Sequence, residues 1–197
     1  MIIIRKMIMK TFILATFITF FILACASAQD KSDTIKNIEQ KIQSINLDTN
    51  YQIVTLNNEA FLDSGFIKQQ GKGYGQLTGF FKNDTIYKIR ELIGITLLHD
   101  IATTDYYFRD GNLIFVYEQE RYGPDILIDS AGTVDHKKPE PDFEGCYYFV
   151  TDKVITKTKG QQKILPNEMF FLSQSKERQL WHSAKKYIDL LINKKKQ

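Results

Sequence analysis

Four ionisable residues in the middle of the chain have side chains suited to binding or transforming a ligand. They are Arg90, Glu91, His99 and Glu118. A carboxylate beside an imidazole can move protons. Arg90 and Glu91 lie near the end of the first predicted hairpin. The chain that follows contains His99 and leads to the second predicted hairpin, and Glu118 lies at the end of that hairpin away from its turn. We identify the four as candidate binding residues; the alternative is surface ion pairs, which contribute little energy.

No catalytic centre is recognisable in the sequence. His99, His136 and His182 are widely separated, and none has a second His or Cys at the spacing of metal ligands. Cys146 lies within a β pattern, which favours a small packed residue over a reactive thiol. His99 and Asp100 form an adjacent acid–base pair, but no nucleophile lies at a recognisable spacing. The sequence therefore predicts no metal site and no cofactor, and it favours binding over catalysis.

Three aromatic-rich stretches must position these side chains, and each has the pattern of a β-hairpin. Each stretch places a pair of aromatic residues before a turn that contains Asp, and a β-branched or aromatic run after it. The turns are predicted at Asn83-Asp84, Asp110-Gly111 and Asp152-Lys153. Successive hairpins of this kind predict an antiparallel sheet.

The turns also predict which side chains share a face, because strand residues alternate between the two faces of a sheet. In the second hairpin the predicted core face carries Tyr106, Phe108, Leu113, Phe115 and Tyr117. That register pairs Tyr106 with Phe115 and Thr104 with Tyr117, and it sets Glu118 opposite Thr103. In the first hairpin one predicted face carries Thr78, Phe80, Tyr87 and Ile89.

A helical pattern flanks the sheet region on each side. Between Ser32 and Leu47, isoleucines repeat at intervals of three and four residues, which makes one apolar stripe. Near the C-terminus a second stripe consists of Leu180, Ala184, Tyr187, Ile188 and Leu191. Ser175 is the predicted N-cap of this C-terminal helix.

Residues 1–28 have the pattern of a secretory signal peptide. Basic residues precede an uncharged run from Thr11 to Ala24, and Ala26-Ser27-Ala28 matches an A-x-A cleavage site. The run is short of the ~20 apolar residues that a membrane span needs. We expect cleavage after Ala28, a secreted or periplasmic location and no membrane span in the mature chain. Two alternatives stay open: an uncleaved anchor, and lipidation of Cys25 in a loose lipoprotein box.

The charge of the mature chain argues against nucleic acid as a partner. Three of the 26 basic residues and none of the 23 acidic residues lie in residues 1–28, so the expected mature chain is formally neutral. A neutral chain without a basic stripe is a poor nucleic-acid binder. We therefore expect an envelope protein or a small ligand as the partner.

Three stretches carry a resemblance to a known family. They are Gly75–Ile89, Tyr106–Gln119 and Phe143–Phe149, and the similarity covers most of the chain from about Leu56 onward. The chain resembles a family of small secreted or envelope proteins of Bacteroidota that has no assigned activity. The resemblance implies a Gram-negative envelope context and supplies no catalytic residues.

That context implies one kind of modification. Periplasmic O-glycosylation in this phylum is associated with Asp, then Ser or Thr, then an apolar residue. Thr34, Thr85 and Ser130 occupy the middle of such triplets and are candidate glycosylation sites. Because glycans need exposed segments, Thr85 is the best placed, at a predicted hairpin tip.

The patterns together predict an α+β fold. We expect an antiparallel meander of about six to eight strands with an N-terminal and a C-terminal amphipathic helix. The predicted organisation is a signal peptide at 1–28, a helix and linker at 29–50, and a single α+β domain at 51–197.

Two functions from different classes follow. Ten Tyr and 14 Phe exceed what a modest core needs, and the polar tip of tyrosine suits binding surfaces. The favoured function is a non-catalytic secreted or periplasmic binding module that uses an aromatic-bearing sheet face. The alternative is a small envelope hydrolase with a carboxylate or His99-Asp100 in a sheet-end cleft. A pocket of converging titratable groups would favour the hydrolase, and an exposed patch rimmed by polar groups would favour the binding module.

Overall fold

A computed structural model describes residues 32–57, 73–95, 100–122, 126–128, 134–136, 141–150, 153–160 and 175–197. The chain divides into two compact units, residues 1–41 and 42–197. The described part of the first unit, residues 32–41, is helical. The predicted signal peptide and Cys25 lie outside the described residues.

The described residues contain two helices and nine strands. The first helix, α1, spans residues 32–47, as the isoleucine pattern predicts. The strands are β1 (Gln52–Asn57), β2 (Gly73–Lys82), β3 (Thr85–Ile95), β4 (Asp100–Arg109), β5 (Asn112–Arg121), β6 (Ile126–Ile128), β7 (Val134–His136), β8 (Phe143–Val150) and β9 (Lys153–Gly160). The second helix, α2, spans Lys176–Lys195.

Seven of these strands form one antiparallel sheet in the order β1-β2-β3-β4-β5-β8-β9. Each strand of this sheet pairs with the next one in the list, while β6 and β7 pair only with each other. The sheet is therefore a meander, and β6–β7 is an excursion between two neighbouring strands. The predicted α+β meander with an N-terminal and a C-terminal helix is confirmed.

Local sequence accounts for the turns and for the start of α2. Asn83, Asp110 and Gly111 have positive φ angles of 54°, 53° and 77°, which Gly adopts without strain and which Asn and Asp tolerate. Ser175 caps α2 as predicted, because its Oγ accepts a hydrogen bond from the Arg178 N–H.

Helix α2 packs against one face of the sheet, which we call the α2 face. The apolar stripe Leu180, Ala184, Tyr187 and Leu191 is buried there against strand side chains. Gly79 lets the helix approach closely, because a Cβ atom at this position would lie 2.9 Å from Leu191 Cδ1. The strand residues of this core are Val54, Leu77, Phe81, Ile86, Ile89, Tyr106, Phe108, Val116 and Tyr147.

A β-bulge makes part of the predicted register of the second hairpin wrong. Phe108 pairs with Leu113 as predicted, but the register then shifts by one residue. Tyr106 pairs with Val116 instead of Phe115, and Thr104 pairs with Glu118 instead of Tyr117. Ile114 is the extra residue, and one extra residue moves every later side chain of β5 to the other face.

The bulge places Glu118 opposite Thr104, not Thr103. It also moves Phe115 and Tyr117 off the predicted core face. Both lie on the opposite side of the sheet from α2, which we call the outer face. Tyr107 packs beside Phe115 on this face, with ring centroids 5.7 Å apart.

The first hairpin also contains a β-bulge, so the predicted assignment of its residues to the two faces is wrong as well. Phe81 pairs with Ile86 and Phe80 with Lys88, which leaves Tyr87 as the extra residue. Ile89 consequently lies on the α2 face, while Phe80 lies on the outer face. In the third hairpin Val150 pairs with Lys153, so Lys153 belongs to the strand and not to the turn.

Candidate functional site

Two of the predicted site residues lie together on the α2 face. Thr104 of β4 lies between them, because it pairs with Glu91 of β3 on one side and with Glu118 of β5 on the other. Only 6% of Glu91 and 7% of Glu118 is exposed. The fold thus brings two carboxyl groups into one buried row beneath α2.

Tyrosine hydroxyls hold both oxygens of Glu91. Tyr187 of α2 donates to Oε1, and Tyr106 of β4 donates to Oε2 at 3.4 Å. Burial raises the pKa of Glu91 to about 7, because the Tyr187 hydrogen bond offsets only part of the burial and the Glu118 charge adds to it. Glu91 is therefore largely protonated in mildly acidic solution and connects the helix to the sheet.

Glu118 forms an ion pair with the first residue of α2. Its Oε1 accepts a hydrogen bond from Lys176 Nζ at 2.8 Å, while its buried Oε2 has no partner of normal geometry among the described residues. Lys176 Nζ also lies 5.5 Å from the ring centroid of Tyr147. Burial and the neighbouring Glu118 carboxylate raise the pKa of Tyr147, which keeps the phenol neutral.

A carboxyl group with a pKa near 7 has the protonation behaviour of a general acid. Glu91 nevertheless lies buried beneath α2, between Tyr106 and Tyr187. In this position the Glu91–Glu118 cluster contributes to the attachment of α2, and a substrate would have to displace the helix to reach it.

A second polar cluster lies on the outer face around Asp105. Arg90 Nε donates to Asp105 Oδ1 at 2.7 Å and Arg90 Nη2 donates to Oδ2 at 2.8 Å. Lys88 Nζ pairs with the same carboxylate at 3.0 Å. Burial alone would raise the pKa of Asp105, but the Arg90 hydrogen bond and the Lys88 and Arg90 charges hold it below its ordinary value.

The end of α1 completes this cluster. Asn46 Oδ1 accepts from Lys88 Nζ at 3.1 Å and lies 3.2 Å from the Tyr107 hydroxyl. Lys88 also donates to that hydroxyl at 3.0 Å, so its three N–H groups meet Asn46, Tyr107 and Asp105. Lys88 is 8% exposed, and these contacts satisfy the hydrogen-bonding needs of a buried ammonium group.

Beyond Asp105, five neighbouring residues of the outer face keep part of their surface exposed. We call this area the outer patch, and it consists of Arg90, Leu92, Thr103, Tyr117 and Gln119. The Arg90 side chain is 49% exposed, and the other four residues are partly buried. With about 4.8 Å between strands and about 7 Å between alternate residues, the patch matches a small molecule in size.

Polar contacts fix Tyr117 at one side of the outer patch. Its hydroxyl donates to Glu144 Oε1 at 2.5 Å and accepts from Gln119 Nε2 at 2.6 Å. Burial and the Glu144 hydrogen bond raise the pKa of Tyr117, so the phenol is neutral at physiological pH. The patch therefore combines a cation, an oriented phenol and the apolar side chain of Leu92.

The three described residues among the four predicted binding residues lie on two different faces of the sheet. Glu91 and Glu118 share the α2 face, Arg90 lies on the outer face, and His99 lies outside the described residues. Adjacent strand residues point to opposite faces, which is why Arg90 and Glu91 separate.

The candidate glycosylation residues differ in their settings. Thr85 is exposed and begins β3 directly after the Asn83-Asp84 turn, whereas Thr34 is partly buried within α1. Ser130 lies outside the described residues. Modification of the three residues stays a prediction.

Several residues of these clusters escaped the sequence analysis, above all Lys88, Asp105 and Lys176. Alternation places Lys88 and Arg90 on one face of β3, since the two residues are separated by one position, but it gives no sign that they share the Asp105 carboxylate. Nothing local indicates that Lys176 meets Glu118, 58 positions away.

Within the part of the chain that the structure describes, no group of three or more His, Cys, Asp and Glu side chains is arranged to hold a metal ion. No helix among the described residues combines the length and the apolar character needed to cross a membrane. Comparisons with protein families, with curated proteins and with solved structures found no match to this chain.

Proposed function

We propose that this protein is a non-catalytic binding module and that its ligand binds at the outer patch. The observation that carries the proposal is the half-exposed guanidinium of Arg90, which a buried carboxylate orients on an open sheet face. Binding sites combine apolar surface with a few fixed polar groups, and Leu92, Tyr117 and Gln119 supply these beside Arg90. Holding such groups in place before the ligand arrives reduces the entropic cost of binding.

The hydrolase alternative rests on Glu91, whose pKa near 7 suits a general acid. It has weaker support, because Glu91 and Glu118 are each less than a tenth exposed and α2 lies over them. The outer patch lies on the opposite face of the sheet from α2 and is the more exposed of the two places.

Chemical-shift mapping tests the proposed function. We expect that, among neutral sugars, amino acids, short peptides and aromatic acids, at least one class shifts the amide signals of Leu92, Thr103 and Gln119 saturably. Thr103→Arg should block the patch and weaken that binding about tenfold or more, the effect of losing ~1.4 kcal/mol. Thr158→Arg, on the exposed part of β9, is the matched control and should leave it unchanged. No shifts with any class, or shifts centred on Glu91 and Glu118, would contradict the proposal.

We also propose that the protein acts in the periplasm or outside the cell. The A-x-A site predicts that the mature chain begins at Gln29. Edman sequencing and intact mass of protein recovered from the envelope and the medium should give this terminus. A precursor that keeps residues 1–28, or a lipid-modified Cys25 as the first residue, would contradict it.

A further inference from the structure

The ion pair with Asp105 leaves one edge of the Arg90 guanidinium unused. A guanidinium has five N–H donors in a planar fork, and Asp105 engages Nε and one N–H of Nη2. Both donors of Nη1 and the second donor of Nη2 remain. None of the described residues accepts a hydrogen bond from them, and the side chain is 49% exposed. Arg90 therefore presents a free edge that matches the two oxygens of an oxyanion.

The charges around Arg90 are also unbalanced. Among the described residues, Asp105 is the single carboxylate that pairs with either Arg90 or Lys88. Lys88 and Asp105 are both buried, so solvent screens their charges poorly. Two cations with one carboxylate leave an excess of one positive charge, which a monoanion would neutralise.

The surroundings of Arg90 indicate how the rest of such a ligand lies. Tyr117 is two strands away in the same row, with Asp105 between them. Leu92 follows on the same face of β3, opposite Thr103. A ligand held at Arg90 can extend over Leu92 and Thr103 toward the Tyr117 ring, where an apolar or aromatic group has surface to contact.

We propose that the free edge of Arg90 binds the carboxylate of a small ligand whose apolar body lies across the outer patch. The proposal rests on the proposed function, since it takes the outer patch as the binding surface. A carboxylate monoanion matches the single excess charge. A phosphate monoester offers the same oxygen geometry but carries more negative charge than the single excess charge neutralises.

Titration of the isotopically labelled protein at constant ionic strength tests this assignment, with sodium benzoate as the probe. We expect the Arg90 Nε–H signal and the Leu92 and Thr103 amides to shift saturably. Benzamide has the same shape without the charge and should bind at least about tenfold more weakly, because hydrogen bonds to charged groups contribute the most. Phenyl phosphate, the other oxyanion, should bind more weakly than benzoate.

Two variants of Arg90 separate charge from geometry. Arg90→Gln should weaken benzoate binding about 10–100-fold, and Arg90→Lys should recover little of it, since an ammonium has no fork. The Lys88–Asp105 pair stays intact in both variants, and the dispersion of the amide spectrum checks their fold. Arg109→Gln removes an exposed arginine from the end of β4 and should bind benzoate as the unaltered protein does.

The outcomes distinguish the two proposals. Equal binding of benzoate and benzamide at the outer patch, or unchanged binding by Arg90→Gln, would overturn the carboxylate assignment while the patch remains a binding surface. Tighter binding of phenyl phosphate than of benzoate would overturn the choice of carboxylate. If benzoate shifts no patch signal while another class of compound does, the carboxylate assignment alone fails. If no class of compound shifts the patch signals, the proposed function fails as well.

Discussion

Replacing Asp105 by asparagine is expected to lower the free energy of unfolding by about 3–5 kcal/mol, the range for removing one partner of a buried ion pair. Asparagine keeps the shape of aspartate but not its charge. It leaves the buried ammonium of Lys88 and the guanidinium of Arg90 without their shared carboxylate. Urea denaturation at pH 7, followed by far-UV circular dichroism, measures the change.

Asp84→Asn is the matched control for this substitution. Asp84 pairs with Lys195 at 3.1 Å, but its side chain is fully exposed, and exposed pairs contribute about 0–1 kcal/mol. Equal losses in the two variants would refute the buried ion pair as a source of stability. Because the folded pKa of Asp105 is lowered, its contribution is complete above the unfolded value of 3.8 and is lost as the pH falls through the lower folded pKa.

Raising the pH from 4.5 to 7 is expected to cost the protein about 3 kcal/mol of stability through Glu91 alone. The pKa of Glu91 is about 7 in the folded chain against an ordinary value of 4.5. Between these values the folded chain holds a proton that the unfolded chain has released. Unfolding then releases a proton, so a higher pH favours the unfolded state. The contribution is complete below pH 4.5 and is lost as the pH passes 7.

Glu91→Gln tests the origin of this slope. The amide stays neutral at every pH, so the decline between pH 4.5 and 7 should largely disappear. Its carbonyl oxygen can accept a hydrogen bond from one of the two tyrosine hydroxyls, and its –NH2 group can donate to the other. Glu177→Gln removes an exposed carboxylate from the first turn of α2 and should leave the decline in place. Denaturation midpoints of Glu91→Gln that still fall with pH as steeply as in the unaltered protein would rule Glu91 out.

The two carboxyl groups act in opposite directions with pH. Asp105 favours the folded state at higher pH and Glu91 favours it at lower pH. The stabilising contributions of these two groups overlap at about pH 4–5. A periplasmic or extracellular protein meets external pH more directly than a cytoplasmic one, which makes this profile relevant to the proposed location.

Local signals in the sequence were sufficient to predict the helices, the turns and the antiparallel meander. Asp110-Gly111 and Asn83-Asp84 are turns because these residue types accept positive φ. The isoleucine stripe gives the extent of α1, and Ser175 gives the start of α2. Each of these features depends on residues within one or two turns of each other, so the pattern alone contains the information.

The sequence did not predict which strand residues lie on which face of the sheet, or which residues form the polar clusters. Ile114 and Tyr87 look like ordinary strand residues, yet each is the extra residue of a bulge and reverses the alternation that follows. Asp105 also gives no local sign of its partners. Lys88 is 17 positions before it and Arg90 is 15, and their contacts exist only after β3 and β4 have paired in register. The alternation of side chains along a strand predicts neither the position of a bulge nor the partner of a residue on another strand.

The meander has a consequence for the order of folding. Each strand of the large sheet pairs with a neighbour that is close in the chain, and even the β6–β7 excursion returns β8 to the edge of β5. The hairpins β2–β3, β4–β5 and β8–β9 each close across two residues, and such local pairing favours rapid folding. Helix α2 is different, because Tyr187 reaches Glu91 across 96 positions. We infer that the docking of this helix carries the largest loop-closure entropy, and that Glu91 loses its water in the same late step.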